Sequence, residues 1–133
     1  MDEIREEMQL HMEHAERCLA SAWLLLEGDD YPGAINRAYY CVFHSTRALF
    51  ANDFTVNFKR HASVVSYFRE KYVKTGIFDK RLSDIIGDLL DERIGSDYDC
   101  SYSIGREEVE DKINDADHFL AKVREYLGIT PPA

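Results

Sequence analysis

The sequence predicts an all-α fold, an up-and-down bundle of about five helices, and three observations support this prediction. Apolar residues recur at three- and four-residue steps, no alternating apolar–polar run typical of a strand occurs, and glycine-containing turns separate the periodic segments. A length of 133 residues is typical of one domain that buries its own core. We therefore expect one bundle over residues 1–128 and a short flexible tail over residues 129–133.

The first two predicted helices meet at a turn that begins at Gly28. The second helix takes Asp30 as its N-cap, has Pro32 in its first turn and continues to about Ala51. Because apolar and aromatic side chains cover much of its circumference, this helix belongs in the middle of the bundle. The apolar stripe of the first helix comprises Ile4, Met8, Ala15, Cys18, Leu19, Ala22 and Leu26.

Three further helices follow a loop over residues 52–59. The third covers about residues 60–74 and stops at Gly76, and the fourth starts after the N-cap Asp79. Turn residues over 95–105 then precede the last helix, which ends at Gly128. The inward positions are Val64, Val65, Phe68, Tyr72, Leu82, Ile85, Ile86, Leu89, Leu90, Val109, Ile113, Ala116, Leu120, Val123 and Leu127.

The charge of the chain is negative overall and unevenly distributed. The net charge is −9, yet the segment Phe58–Arg81 holds seven basic and two acidic residues. This basic segment has two interpretations, a solvated helix surface or a surface that faces a phosphate or an acidic partner. Within it, Lys59, Arg60 and His61 lie at the predicted start of the third helix, where backbone N–H groups attract anions.

The sequence also indicates the compartment and the kinds of chemistry to expect. No apolar stretch is long enough to cross a membrane, and the three cysteines form no CxxC motif, so we expect a reduced, cytoplasmic protein. His11 and His14 lie one helical turn apart but lack further ligands, so we expect no metal. Because Walker A, GxGxxG and GxSxG motifs are absent from the sequence, we expect neither a cofactor nor conventional NTP or serine hydrolysis.

Polar residues interrupt the apolar second helix at candidate site positions. Arg37 and His44 are two turns apart on one face, Tyr40 lies between them, and Asn36 lies beside Arg37. One hypothesis is that the arginine binds a phosphate and the histidine moves a proton. The alternative is structural, with Arg37 paired to a carboxylate of another helix and His44 bonded to a backbone carbonyl.

A second candidate group ends the fourth helix. Arg93 is followed by acidic and aromatic residues that could either anchor the loop or complete a ligand cleft. Asp97 and Asp99 suit the anchoring role, while Tyr98 and Tyr102 could stack on a ligand or donate hydrogen bonds to it.

Over about residues 10–127 the chain resembles the small, stand-alone HEPN-domain proteins of prokaryotes. The resemblance rests on the segments NRAYYCVFHSTRALF, YVKTGIFDK, ERIGSDYD and the closing helix EVEDKINDADHFLAKVREYL, in that order. It implies a helical bundle that dimerises and pairs with a minimal nucleotidyltransferase in a two-component toxin–antitoxin system. It also implies that active members are metal-independent RNases, which use an arginine and a histidine that follows it by several residues.

The chain departs from this pattern at the histidine. Arg93 matches the family arginine, but Tyr98, Asp99 and Cys100 occupy the window where the histidine is expected. A tyrosine hydroxyl is a poor proton shuttle at neutral pH, and Asp97 and Asp99 would repel RNA phosphate. The departure favours a dimeric binding or regulatory component that recognises a nucleotide or RNA.

Two alternatives stay open. One is an RNase toxin in which Arg93 acts with Tyr98 nearby and with His44 or His61 from another helix or subunit. The other is an interaction scaffold with no small ligand.

Overall fold

The computed structural model describes residues 2–53 and 61–129, with side chains described over 3–53 and 63–129. All the regular structure in these ranges is helical, which confirms the all-α prediction. A single π-helical turn, Arg69–Val73, continues the third helix. The five α-helices are α1 (Asp2–Glu27), α2 (Tyr31–Asp53), α3 (His61–Phe68), α4 (Lys80–Tyr98) and α5 (Arg106–Leu127).

Helix α2 lies at the centre of the bundle, as its composition predicted. It packs against α1, α3, α4 and α5, and most of its residues from Ala34 to Ala51 are buried. Two buried hydroxyls on this helix are satisfied locally, because Ser45 donates to the carbonyl of Cys41 and Thr46 to that of Val42. The helix can therefore occupy the core with its polar groups paired.

The turn between α1 and α2 forms as expected. The Asp30 side chain accepts a hydrogen bond from the backbone N–H of Gly33 at 2.9 Å, which caps α2. A side chain at residue 33 would overlap the Asp30 carboxylate, so glycine permits this cap. Arg106 of α5 donates to the carbonyl of Leu26 and to Asp29, both at 3.2 Å, and ties the turn to the last helix.

The third helix differs from its prediction in geometry rather than in extent. It leaves α-helical geometry after Phe68, and the N–H of Lys74 bonds to the carbonyl of Arg69, five residues earlier. The π-helical turn carries the buried Tyr72, whose hydroxyl donates to Asp53 at 2.6 Å. Gly76, with φ 81°, ends the segment where the sequence placed its stop.

The loop predicted over 95–105 was wrong for its first four residues, because α4 continues to Tyr98. The ring of Tyr102 packs over Gly95, so close that a Cβ there would lie 3.1 Å from it. Ser96 also donates to the carbonyl of Arg93 at 3.0 Å, and the N–H of Asp99 to that of Gly95 at 3.0 Å. These contacts stabilise a last turn whose residue types favour loops.

Helix α5 closes the bundle with the predicted apolar stripe buried as far as Val123, and Leu127, the last residue of the stripe, is partly buried. Gly128 ends it in the left-handed conformation, with φ 69°. Ile129 follows and packs against the core, whereas the rest of the expected tail, 130–133, lies outside the described residues. Arg124 binds Glu16 of α1 at 2.9 Å across the bundle. Over the described ranges, no helix has the length and apolar character of a membrane span.

Candidate functional site

A half-buried row of polar residues runs along α2 between α1 and α4. We call it the α2 stripe, and its residues repeat at the helical spacing: Asn36, Arg37, Tyr40, His44 and Arg47. Its neighbours on the same helix, such as Tyr39 and Cys41, are fully buried. The stripe is thus the part of the central helix that solvent reaches.

Arg93 of α4 meets the α2 stripe at Tyr40. Its guanidinium carbon lies 5.4 Å from the centre of the Tyr40 ring and 5.5 Å from that of Tyr39. The guanidinium carbon of Arg37 lies 5.0 Å from the same Tyr40 ring. Two arginines from different helices therefore adjoin one aromatic ring, within the range of cation–π attraction.

Neither arginine forms a hydrogen-bonded ion pair among the described residues, although Arg93 forms a long ion pair with Asp97. The buried Nε of Arg93 has no hydrogen-bond partner, since Asp97 lies 3.5 Å away at an unfavourable angle. Arg37 donates from Nε and Nη2 to the amide oxygen of Asn36, at 3.0 and 2.7 Å, and from Nη1 to Cys18 Sγ at 3.8 Å. Among the described residues no carboxylate pairs with Arg37, and its donors are directed to Asn36 and Cys18 instead. Both cations keep the capacity to bind an anion.

His44 lies in a cluster of three histidines rather than against a backbone carbonyl. Its Nδ1 is 3.2 Å from Nδ1 of His11, and its ring stacks on that of His14 with centroids 3.9 Å apart. A hydrogen bond between two Nδ1 atoms requires one ring to donate and the other to accept. This contact therefore needs at least one neutral imidazole.

The surroundings of His44 disfavour its charged form. Burial, with His14, His11, Arg47 and Arg37 nearby, lowers the pKa of His44 to about 3. Burial and Arg47 also lower the pKa of His11. A general acid or base works best with a pKa near the operating pH, so His44 is poorly matched to proton transfer at neutral pH.

The aromatic and acidic residues that follow Arg93 lie in different environments. The Tyr98 side chain is exposed, and Asp99 accepts hydrogen bonds from the N–H and hydroxyl of Ser101 at 2.9 and 2.6 Å. Tyr102 donates to Glu92 at 2.6 Å, and burial together with that carboxylate raises the pKa of its hydroxyl. Of these candidates only Asp97 contacts Arg93.

The basic segment is not part of this site as far as it is described. Lys59 and Arg60 lie outside the described residues, and the side chain of His61 is likewise not described. Arg69 donates to the Ser83 hydroxyl of α4 at 2.7 Å, and Arg81 lies 3.7 Å from Asp115 of α5. These contacts fit the interpretation as a solvated surface for the described basic residues.

Sequence reasoning missed two features of the site. Tyr39 was not singled out, but its buried ring contacts Arg93, and no pattern in α4 alone indicates that contact. His11 and His14 were weighed only as metal ligands, yet they form the wall beside His44. In the described part of the chain, no group of three or more His, Cys, Asp or Glu side chains is arranged to hold a metal ion.

Comparisons with known proteins match most of the chain to one family of domains. The family model described as "HEPN domain" matches residues 8–126, a range that includes the α2 stripe and Arg93. The "Putative toxin MJ0605" of Methanocaldococcus jannaschii is 34% identical over 125 residues, which cover 94% of this chain and 92% of that protein.

Two further relatives also cover more than nine-tenths of this chain. The "Putative toxin MJ0142" of Methanocaldococcus jannaschii is 30% identical over 92% of this chain and 83% of its own length. A "UPF0332 protein" of Thermotoga maritima is 29% identical over 96% of both chains. Together with the helical bundle, the matches confirm the resemblance read from the sequence, and the chain belongs to the HEPN-domain family.

Proposed function

We propose that this protein is the binding component of a toxin–antitoxin-type pair and that it recognises RNA phosphate through Arg93 and Arg37. The observation that carries the proposal is the pair of guanidiniums beside the Tyr40 ring, neither of which forms a hydrogen-bonded ion pair among the described residues. Membership of the HEPN family and the toxin names of its relatives support the wider role.

Phosphate recognition suits this arrangement for two reasons. Arginine presents several N–H donors in a plane that matches phosphate oxygens, and Tyr40 limits the orientations of both side chains. The net charge of −9 opposes binding to a polyanion over long range, so affinity must come from a local cationic site. A free nucleotide carries the same phosphate chemistry, and competition with AMP in the binding experiment distinguishes it from RNA.

Fluorescence anisotropy of a labelled single-stranded RNA tests this proposal. We expect Arg93→Met to weaken binding by about tenfold or more, because a hydrogen-bonded charged contact contributes about 1.5–3 kcal/mol. Arg5→Met, an exposed arginine near the start of α1, is the matched control and should change affinity by less than about twofold. Equal losses in both variants would contradict a specific role for Arg93.

A second candidate function is an RNase that uses Arg93 with His44. It is favoured by the position of His44 on the α2 stripe, where its ring centroid is 6.2 Å from that of Tyr40. The low pKa of His44 weighs against it, because the neutral imidazole is a weak base at neutral pH. Loss of RNA cleavage in both Arg93→Met and His44→Gln would favour this alternative over binding alone.

The proposed partners are a second copy of the chain and a minimal nucleotidyltransferase. They follow from the family rather than from a contact in the monomer. Light scattering should give twice the 15.4 kDa chain mass at micromolar concentration. Co-expression with the proposed minimal nucleotidyltransferase should yield a complex that survives gel filtration, and a monomer that elutes alone would contradict both partners.

A further inference from the structure

A second concave site lies near the start of α4, at the other end of the helix from Arg93. It is a pocket of about 630 Å³ formed by the turn before α4, the first residues of α4 and the second half of α5. Leu82 lines the pocket and lies eleven residues before Arg93, which corresponds to roughly 16 Å along the helix axis. The pocket is therefore separate from the α2 stripe.

One part of the pocket is apolar and has a fixed shape. Phe78 and Leu82 are buried, and the ring of Tyr126 meets that of Phe78 edge-on with centroids 5.5 Å apart. The Tyr126 hydroxyl donates to Asp53 at 2.8 Å, which holds the ring in place although much of it is exposed. Ile77 adds a further exposed apolar side chain at the rim. A flat apolar group would find complementary surface here.

The other part of the pocket carries nitrogen donors from two helices. His118 and Lys122 are four residues apart on α5 and share a face, while Arg81 comes from the first turn of α4. The nearest carboxylates, Asp115 to Arg81 and Glu125 to Lys122, both lie 3.7 Å away, beyond good hydrogen-bond length. These donors therefore remain open to an additional acceptor.

Two carboxylates also line the pocket, Asp79 and Glu125. Asp79 accepts a hydrogen bond from the backbone N–H of Arg81 at 2.8 Å and caps α4. The Glu125 side chain is 74% exposed and is directed to solvent. The side chains of Arg81 and Lys122 are also about half exposed, at 57% and 47%, so solvent screens the charges of both signs at this rim.

We infer that this pocket binds a small organic anion with a flat apolar body, of the class of aromatic phosphates and carboxylates. Tyr126 and Phe78 supply the surface for the ring, and Arg81, His118 and Lys122 supply donors for the anionic group. This inference is independent of RNA recognition at Arg93, because it uses no residue of the α2 stripe.

An NMR titration of the full chain tests the inference with three probes: phenyl phosphate, inorganic phosphate and benzyl alcohol. We expect phenyl phosphate to shift the backbone amides of residues 77–82 and 118–126 at low millimolar concentration, as suits a fragment-sized ligand. Inorganic phosphate lacks the aromatic ring and benzyl alcohol lacks the anionic group, so each should bind about tenfold more weakly than phenyl phosphate. Equal shifts with inorganic phosphate, or shifts confined to the α2 stripe, would overturn the inference.

Charge-reversal variants on α5 provide the matched control. Lys122→Glu should weaken phenyl phosphate binding by about tenfold, whereas Lys112→Glu makes the same charge change earlier on α5 and should leave it within about twofold. Arg81→Met is an independent variant of the opposite wall and should also weaken binding. Unchanged affinity in Lys122→Glu and Arg81→Met, or no binding to the wild-type chain up to roughly 10 mM, would overturn the site.

Discussion

At the scale of single residues, the site depends on Arg93 and its one acidic neighbour. Asp97 lies 3.5 Å from Arg93 Nε, close enough to attract the guanidinium but not aligned to form a hydrogen bond. The carboxylate and a phosphate would compete for the same cation. Asp97 thus lowers the affinity of the site for an anion while holding Arg93 in position when no ligand is bound.

Removing this competing charge should strengthen RNA binding. We expect Asp97→Asn to raise affinity by roughly threefold to tenfold, consistent with about 1 kcal/mol for a partly exposed charge. Asp88→Asn, an exposed change on α4 with the same effect on net charge, is the control and should have a smaller effect. Anisotropy titrations of the two variants side by side provide the measurement, and equal gains would show that only the net charge matters.

The histidine cluster should make stability depend on pH. The pKa of His44 falls from an ordinary value near 6.5 to about 3 in the folded chain, so the unfolded state binds more protons between these values. Stability is therefore present above about pH 6.5 and is lost as pH falls toward 3. Urea unfolding at about pH 7.5, 6 and 4.5 should show a steeper loss for the wild type than for His44→Gln.

Parallel pH profiles for the two proteins would contradict a neutral, buried His44. The pKa of His11 is also lowered, so His11→Gln should remove a further part of the stability loss at low pH. Because the Nδ1 atoms of His11 and His44 are 3.2 Å apart, full protonation of both would oppose two N–H groups.

The candidate site could be predicted from sequence only in part. The helical spacing correctly put Arg37, Tyr40 and His44 on one face of α2, because a period of 3.6 residues is local information. The contact between Tyr40 and Arg93 depends on the rotation and register of α4 against α2, which no single helix encodes. The contact between His11 and His44 could not be predicted for the same reason, because it depends on how α1 packs against α2.

At the scale of the elements, the helices formed where caps and periodicity predicted them, and differed where tertiary packing adds contacts. Asp30 caps the start of α2, Asp79 caps the start of α4 and Gly128 ends α5, as predicted. The last turn of α4 forms against its own composition because Tyr102 covers Gly95. The turn at Arg69 widens into π-helical geometry, and periodicity alone does not distinguish this geometry from an α-helix.

The contact between the π-helical turn and α4 gives an alanine substitution at Gly87 two opposing effects on stability. The Arg69 guanidinium lies across Gly87, where a Cβ would collide with it, and donates to the Ser83 hydroxyl at 2.7 Å. Alanine in a helix is favoured over glycine by about 1 kcal/mol, but here it must displace Arg69. The two effects should largely cancel in Gly87→Ala.

A double-mutant cycle separates these effects. In an Arg69→Ala background, Gly87→Ala should raise the free energy of unfolding by about 1 kcal/mol. In the wild-type background, the same substitution should change the free energy of unfolding by less than about 0.5 kcal/mol. Urea unfolding of the four proteins gives the coupling between the two positions. A full gain in both backgrounds would show that Arg69 does not lie over Gly87 in solution.

At the scale of the whole molecule, the fold gives a central helix an unusual combination of burial and exposure. Helix α2 is enclosed by the other helices, yet the gap between α1 and α4 leaves the α2 stripe accessible. An acidic protein thereby concentrates two arginines at one aromatic ring while its net charge is −9. This local positive charge is what the proposed recognition of RNA phosphate requires.

The central claim is that the chain holds RNA at Arg93 without cutting it, and the most direct measurement is the length of RNA recovered after binding. Labelled single-stranded RNA should be incubated with wild type, Arg93→Met and His44→Gln without added metal, then resolved on a denaturing gel. We expect intact RNA in every sample on the gel, and in a parallel filter-binding assay under native conditions we expect retention of the RNA on the protein to be lost only for Arg93→Met. Fragments produced by the wild type and absent with either variant would contradict the claim and identify the protein as a nuclease.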